Sequence, residues 1–133
     1  MGTGRVVYFL DSDVLFDIQR GNPVCMDWLK ENQGELIALP TTVAMELLIG
    51  SRDKEELARS RGFLQMFRVA WMNEVESELA LKLLDKYCLP SGPSLPDFQI
   101  AAQAVNRGAT LLTFNMKHFG RIKELDARAP YSR

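Results

Sequence analysis

Three carboxylates that are widely separated in the sequence, Asp11, Glu46 and Asp97, are the residues best suited to do chemistry. Asp11 follows the apolar run 6–10. Glu46 is the only charge within residues 41–50, and Asp97 opens a helical pattern. Long stretches of chain separate them, so no single turn or helix cap explains all three. If the fold brings them together, their mutual repulsion is costly unless a cation or a proton neutralises it. Hard oxygen ligands of this kind suit Mg²⁺ or Mn²⁺, and such sites serve phosphate chemistry.

Each carboxylate also has a simpler structural explanation. Asp11 would cap a helix that begins near Asp13, and Asp13 itself is as easily a cap as a residue that supports a ligand from behind. Asp97 in the first turn of a helix would offset the helix dipole by roughly 0.3–1 kcal/mol. Glu46 is harder to explain in this way, because its neighbours are apolar and an unpaired buried carboxylate is costly. The joint pattern indicates a site, although no single residue does.

Segments typical of strands alternate with segments typical of helices. This alternation predicts a parallel sheet covered by helices on both faces, in a three-layer α/β/α fold. The strand candidates are residues 6–10, 36–39, 69–72 and 110–113, and the helix candidates are residues 14–19, 43–49, 53–67, 73–88 and 97–107 with one more helix opened by Pro23. In such sheets ligands bind beyond the carboxyl ends of the strands. Asp11, Thr113 and Asn115 follow strands directly. Glu46 and Asp97 lie near the start of helices at the same edge, so these segments can share one pocket.

The composition is that of a globular domain. The 133 residues predict a single domain, 1–133, and a hydrophobic fraction of 47% with a charged fraction of 25% is ordinary. No apolar run near the start is long enough for a signal peptide or a membrane span, so we expect a cytoplasmic protein with no membrane partner. A net charge of −1 argues against indiscriminate nucleic-acid binding. Basic residues predominate in residues 101–133, which fits a phosphate-backbone substrate or a solvated surface equally well.

Four segments resemble, in order, the successive motifs of PIN domains, and the closest resemblance is to the VapC-type toxins of bacterial and archaeal toxin–antitoxin pairs. These segments are residues 9–17, 42–50, 96–102 and 108–119. The resemblance implies a PIN-like fold with a central parallel sheet of four to five strands. It also implies an endoribonuclease that depends on Mg²⁺ or Mn²⁺ and cuts tRNA, rRNA or mRNA. Such a protein is often a homodimer and is inhibited by a small antitoxin protein.

The resemblance assigns the acidic residues by matching position. Asp11 and Asp97 would be the principal metal ligands, and Glu46 would complete the acidic site. The expected reaction is metal-assisted hydrolysis of a phosphodiester, in which water attacks in line. Glu46 or Asp97 would help to remove the proton of that water. This chemistry needs neither a cysteine nor a histidine as the nucleophile, which suits a chain with one histidine.

Three further residues receive roles from the same resemblance. Asn115 stands where many relatives have a fourth acid. An amide is neutral and a poorer ligand than a carboxylate, so the number of tightly held metals, one or two, is left open. Asp13 occupies a position commonly filled by Asn or Asp and would support the ligands from behind. Thr113 would orient the attacking water.

Two other interpretations stay open at this point. Asp11 and Asp13 after an apolar strand also resemble the opening motif of haloacid-dehalogenase-type phosphatases, in which the first Asp attacks phosphate and the second is an acid or base. Those enzymes need an acidic pair after a later strand, where this chain has Asn115 instead. That interpretation also leaves Glu46 and Asp97 unexplained. The non-enzymatic alternative is a PIN-like module that binds RNA or protein without cutting.

Overall fold

Five parallel strands form the centre of a computed structural model that describes residues 7–133. The strands are β1 (Val7–Leu10), β2 (Leu36–Pro40), β3 (Arg68–Ala70), β4 (Thr110–Leu112) and β5 (Ala127–Arg128). Their order across the sheet is β3-β2-β1-β4-β5, and every neighbouring pair is parallel. Helices flank this sheet, which confirms the predicted α/β fold. Val6 of the first predicted strand lies outside the described residues.

The helices begin and end where the side chains predict. They are α1 (Ser12–Gln19), α2 (Pro23–Glu31), α3 (Thr41–Ile49), α4 (Lys54–Leu64), α5 (Glu74–Tyr87), α6 (Leu95–Arg107) and α7 (Met116–Phe119). Asn22 caps α2 by accepting a hydrogen bond from the N–H of Cys25, and Pro23 occupies the first helical position. Gly108 ends α6 with a φ of 63°, which glycine adopts without strain. Within residues 7–133, no helix has the length and apolar character needed to cross a bilayer.

The chain order places a topological switch point between β1 and β4. From β1 the chain moves through β2 to β3 on one side, and β4 and β5 are added on the other side. Phe9 of β1 pairs with Ala38 of β2 and with Leu111 of β4, and all three are buried. Ligands of open parallel sheets bind at such switch points, beyond the carboxyl ends of the strands. The residues that follow β1 and β4, Asp11 and Thr113, lie at this position.

Helices α5 and α6 are joined by a buried ion pair. The side chain of Glu76 is 0% exposed. Arg107 donates hydrogen bonds to both of its carboxylate oxygens, at 2.7 and 2.9 Å, while Asn106 and the N–H of Asn73 donate at 2.8 and 3.1 Å. Burial disfavours the charged form, but these hydrogen bonds outweigh it and hold the pKa of Glu76 below its ordinary value. The sequence predicted only the capping box that Glu76 forms with Asn73, which is present.

Some predicted boundaries and faces were wrong. The helix predicted over 53–67 ends at Leu64, because the chain turns there to enter β3, and β3 ends at Ala70 instead of residue 72. Strand β5 has only two residues and is defined by its pairing with β4 and not by an apolar pattern. Helix α3 is apolar nearly all round but is not wholly buried, since Met45 is 62% and Ile49 is 85% exposed.

Candidate active site

Asp11 and Thr113 lie side by side at the switch point of the sheet. Oδ1 of Asp11 accepts a hydrogen bond from the N–H of Ser12 at 2.8 Å, so Asp11 caps α1 as its simpler explanation required. Oδ2 accepts a 2.6 Å hydrogen bond from the hydroxyl of Thr113. The N–H of Asp11 donates to the carbonyl of Leu112 at 3.0 Å and joins the ends of β1 and β4. Asp11 therefore combines a structural role with a place at the ligand-binding edge.

Asp13 ties the loop after β4 to helix α1. Its Oδ1 accepts from the N–H of Val14 at 2.7 Å, and its Oδ2 accepts from the N–H of Phe114 at 2.9 Å. Burial raises the pKa of Asp13, and these two hydrogen bonds oppose the rise. Because backbone donors engage both oxygens, Asp13 is placed to support the loop that carries Thr113 and Asn115. Its predicted role behind the ligands remains a prediction that this geometry suits.

Glu46 projects from α3 and has an unsatisfied oxygen. Its Oε1 is buried and has no hydrogen-bond partner among the described residues. Burial raises the pKa of Glu46, repulsion from Asp11 and Asp97 raises it further, and the hydroxyl of Ser12 acts in the opposite direction. A buried carboxylate oxygen without a donor is energetically unfavourable. Oε1 of Glu46 is thus a polar atom that the described residues leave without a partner.

Asp97 is buried at the start of α6 and is held from two sides. Its Oδ2 accepts a hydrogen bond from the N–H of Ser94 at 2.9 Å, which closes the first turn of the helix. The same oxygen lies 2.9 Å from Nδ1 of His118, and the side chain of His118 is 36% exposed. The amide nitrogen of Asn115 lies 3.2 Å from this Nδ1. Asp97 is therefore a helix-start residue, as its simpler explanation held, and also part of a polar cluster.

The contact between His118 and Asp97 was missed by the sequence analysis. The chain has one histidine, and no second histidine or cysteine pair lies beside it in the sequence. One signal was available, because His118 follows Asn115 by three residues in the short helix α7. Residues at that spacing share a helix face, so Asn115 and His118 were expected to be neighbours. The orientation of α7 toward α6 depends on tertiary packing and is not encoded in that spacing.

The carboxylates influence one another through space. Burial raises the pKa of Asp11 to about 6, with a hydrogen bond from Thr113 opposing the rise and repulsion from Asp13 and Asp97 adding to it. Glu46 is raised by the charges of Asp11, Asp97 and Asp13. The structure therefore brings Asp11, Glu46 and Asp97 into one acidic pocket, with Asp13 beside it.

The acidic pocket, formed by Asp11, Glu46 and Asp97, fits a divalent cation in its chemistry. Its candidate ligands are hard carboxylate oxygens. A positive charge would satisfy the unpartnered Oε1 of Glu46 and relieve the repulsion that raises the pKa values. Within residues 7–133, no three Asp, Glu, His or Cys side chains are grouped so as to hold a metal by themselves. Mg²⁺ needs no such cage, because it is commonly bound by one or two carboxylates with water and substrate phosphate as further ligands.

Known proteins similar to this chain share its fold. The sequence model of the PIN domain family matches residues 8–125. Ribonuclease VapC19 of Mycobacterium tuberculosis is 33% identical over 125 residues, which is 92% of this chain and 98% of that protein. Among solved structures, VapBC2 from Rickettsia felis bound to a promoter DNA fragment matches 93% of this chain and 98% of its own, with a TM-score of 0.78 and 25% identity. A toxin–antitoxin complex from Klebsiella pneumoniae matches 95% and 99%, with a TM-score of 0.76 and 25% identity. These similarities confirm the resemblance found in the four motifs, and the chain belongs to the PIN domain family.

Proposed function

We propose that this protein is an endoribonuclease that hydrolyses RNA phosphodiesters with Mg²⁺ or Mn²⁺, and that it is the toxin of a toxin–antitoxin pair. The observation that carries the proposal is the buried, unpartnered Oε1 of Glu46 in a pocket shared with Asp11 and Asp97. A surface used only for binding would gain nothing from burying carboxylates that repel one another. Similarity to Ribonuclease VapC19 supports RNA as the substrate.

The acidic residues divide the work between holding the cation and moving a proton. Asp11 and Asp97 would hold the cation, and Glu46 would complete its environment. A bound divalent cation supplies positive charge that polarises the phosphoryl group and favours attack by water. Glu46, whose pKa is raised by burial and by its acidic neighbours, is suited to accept a proton from that water. Asp97 is fixed by Ser94 and His118, which suits a ligand whose position must not vary.

Thr113 is better suited to orienting Asp11 than to orienting water. Its hydroxyl proton is donated to Asp11, and its oxygen accepts a hydrogen bond from the N–H of Asn115 at 3.0 Å. A hydroxyl has one donor and two acceptor sites, so only one acceptor site remains for water. We therefore assign Thr113 the position of the Asp11 carboxylate as its main task, with Asn115 holding Thr113 in turn.

A small antitoxin is the partner that we propose, and its point of attack is the acidic pocket. An Arg or Lys side chain from such a partner would place positive charge there through charge-assisted hydrogen bonds. Exposed apolar side chains offer further contact area on nearby helices: Met45 and Ile49 on α3, and Met66 just after α4, are 62%, 85% and 77% exposed. We propose that these residues contact the antitoxin or the second copy of a homodimer. The cytoplasm is the compartment in which we expect the RNA and the antitoxin to be met.

Incubation with a mixed RNA pool tests the proposal against both alternatives. We expect wild type to cut internal bonds when Mg²⁺ or Mn²⁺ is supplied and to leave the pool intact in excess EDTA. A non-cleaving module would leave the pool intact in both conditions. The phosphatase alternative requires Asp13 as an acid or base, and backbone N–H groups engage both of its oxygens. Trapping an acid-labile phosphoaspartate at Asp11 would favour the phosphatase instead.

A further inference from the structure

A pocket of about 600 Å³ lies beside the acidic pocket, between helices α1, α3 and α4. It is lined on α1 by Phe16 and on α3 by Leu47, and Gly50 closes the end of α3. Gly50 is one turn beyond Glu46, about 6 Å along the same helix face. Phe16 follows Asp13 by three residues, so it is also one turn from an acidic residue. The same two helices thus carry the acidic residues and the walls of this neighbouring pocket.

Two arginines at the pocket have no ion-pair partner within residues 7–133. Arg20 lies over the ring of Phe16, with 5.8 Å between the guanidinium carbon and the ring centroid. Arg59 lines the opposite side from α4 and forms no ion pair, although its charge acts on Glu56 at longer range. A third arginine, Arg52, is paired with Glu56 at 2.8 Å. The pocket therefore carries more positive charge than its own carboxylate balances.

Ser51 contributes an unsatisfied donor to the same pocket. Its hydroxyl oxygen is buried and has no hydrogen-bond partner among the described residues. A buried hydroxyl without a partner is unfavourable, and an anionic oxygen would satisfy it. Together with Oε1 of Glu46, it makes up the buried side-chain atoms that lack a partner in the described chain. One lies in the acidic pocket and the other in the pocket one turn away.

We propose that the pocket between α1, α3 and α4 binds a backbone phosphate of the RNA next to the bond that is cut. Arg20 and Arg59 supply the charge, and Ser51 supplies a hydroxyl donor. The aromatic rings of Phe16 and Phe63 give the pocket faces on which a base can stack, and aromatic side chains combined with arginines are typical of sites that bind single-stranded RNA. The inference rests on the proposed ribonuclease activity and deepens it, because it names where the substrate strand leaves the acidic pocket.

RNA fits these observations better than a protein segment does. A strand that presents one phosphate to the acidic pocket continues with further phosphates at regular intervals, so a cationic pocket one or two helix turns away is placed along its path. Arg20 lies about 10 Å along α1 from Asp13, which is within that path. An apolar protein segment would leave the hydroxyl of Ser51 without an acceptor and both guanidinium groups without a counter-charge.

Salt-dependent RNA binding tests the proposal without cleavage. Binding of a fluorescein-labelled single-stranded RNA is followed by anisotropy in EDTA, for wild type and for the double variant Arg20→Gln/Arg59→Gln. For single strands each phosphate contact contributes about 0.7 to the slope of log affinity against log salt. Between about 50 and about 200 mM salt, the affinity of wild type should then fall about sevenfold more than that of the double variant. Ser51→Ala should weaken binding but leave the salt slope of wild type unchanged, because it removes a neutral donor.

The matched control is Arg61→Gln/Lys82→Gln, which removes two exposed charges, one of them on α4, that do not line the pocket. We expect its salt slope to lie closer to that of wild type than to that of the pocket variant. Equal slopes for the pocket variant and the control would overturn the phosphate site, and cleavage by wild type with Mn²⁺ would show that the proposed function still stands. A pocket variant that loses only the binding of a protein partner would also overturn it. If wild type neither binds nor cuts RNA, both proposals fall.

Discussion

The hydroxyl of Thr113 lies 2.6 Å from Oδ2 of Asp11, although 102 positions separate the two residues in the chain. This contact joins the residues that follow β1 and β4, the two strands between which the direction of chain order reverses. It leaves Asp11 with one oxygen bound to a hydroxyl and the other bound to the N–H of Ser12. The carboxylate is therefore held in one orientation before any ligand arrives, which is what a preorganised site requires.

The raised pKa of Asp11 predicts a pH-dependent loss of stability. Burial lifts this pKa from 3.8 to about 6, so the folded protein binds this proton more tightly than the unfolded chain does. The contribution of Asp11 to stability therefore falls as pH rises from about 4 to about 6, by up to about 3 kcal/mol. Asp11→Asn keeps a helix cap and removes the charge. In EDTA its melting temperature should rise relative to wild type between pH 4 and pH 7.

Asp85→Asn is the control for this measurement, because Asp85 is exposed near the end of α5. It should show no such trend relative to wild type. Saturating Mn²⁺ should reduce the difference between wild type and Asp11→Asn at pH 7, since a cation would relieve the repulsion. A constant difference between Asp11→Asn and wild type from pH 4 to pH 7 would mean that the Asp11 carboxyl ionises normally.

Asn115→Asp should tighten the binding of divalent cations. The amide nitrogen of Asn115 lies 3.2 Å from Nδ1 of His118, which in turn contacts Asp97, so a carboxylate at residue 115 would add negative charge beside a proposed ligand. Calorimetric titration with Mn²⁺ should report a higher affinity than wild type. Gln65→Glu makes the same change of charge at an exposed residue after α4 and should leave the titration unaltered. Identical titrations for Asn115→Asp and Gln65→Glu would place residue 115 outside the metal site.

The buried ion pair between α5 and α6 predicts a large loss of stability in Arg107→Met. The carboxylate of Glu76 would keep Asn106 and the N–H of Asn73 but lose its only cation. Removing one partner of a buried pair typically costs about 3–5 kcal/mol. Arg107→Met/Glu76→Leu removes both charges and should recover most of the loss, as urea denaturation would reveal. If the single variant unfolds at the same urea concentration as wild type, the pair contributes little.

The edge of the sheet could be predicted from the sequence because it depends on local patterns. Apolar runs marked β1 and β4, and parallel pairing made Asp11 and Thr113 neighbours without any knowledge of the loops. Glu46 could be singled out because its neighbours on α3 are apolar. These inferences needed only the period of each element and the general rule for where ligands bind in such sheets.

The missed features depend on contacts between distant parts of the chain. His118 meets Asp97 only because α7 turns toward α6, and β5 exists only because Ala127 and Arg128 pair with β4. The bond from Arg107 to Glu76 spans 31 positions and has no local signature. Residue types predicted what each of these side chains can bind, while tertiary packing decided its partner.

Growth of cells that express the chain tests the toxin assignment. Wild type expressed without a partner should slow growth of its native host, because an open nuclease site would cut the RNA of that host. Asp11→Asn should not slow growth, since it removes a proposed metal ligand while an Asn side chain can still cap α1. Asp85→Asn serves as the control and should be as harmful as wild type. Equal growth of all three strains, with no small protein co-purifying from the native source, would contradict a toxin.

Cleavage of RNA by Asp97→Asn tests the central claim most directly. The substitution removes one charge from the acidic pocket and keeps the side-chain volume and the contacts around Ser94 and His118. Wild type and Asp85→Asn should cut RNA with Mg²⁺ or Mn²⁺, whereas Asp97→Asn should be slower by about a hundredfold or more, because a bound cation contributes several kcal/mol to the transition state. Circular dichroism should report the same fold for all three proteins. Full activity of Asp97→Asn, or wild-type cleavage undiminished by excess EDTA, would contradict a metal-dependent ribonuclease.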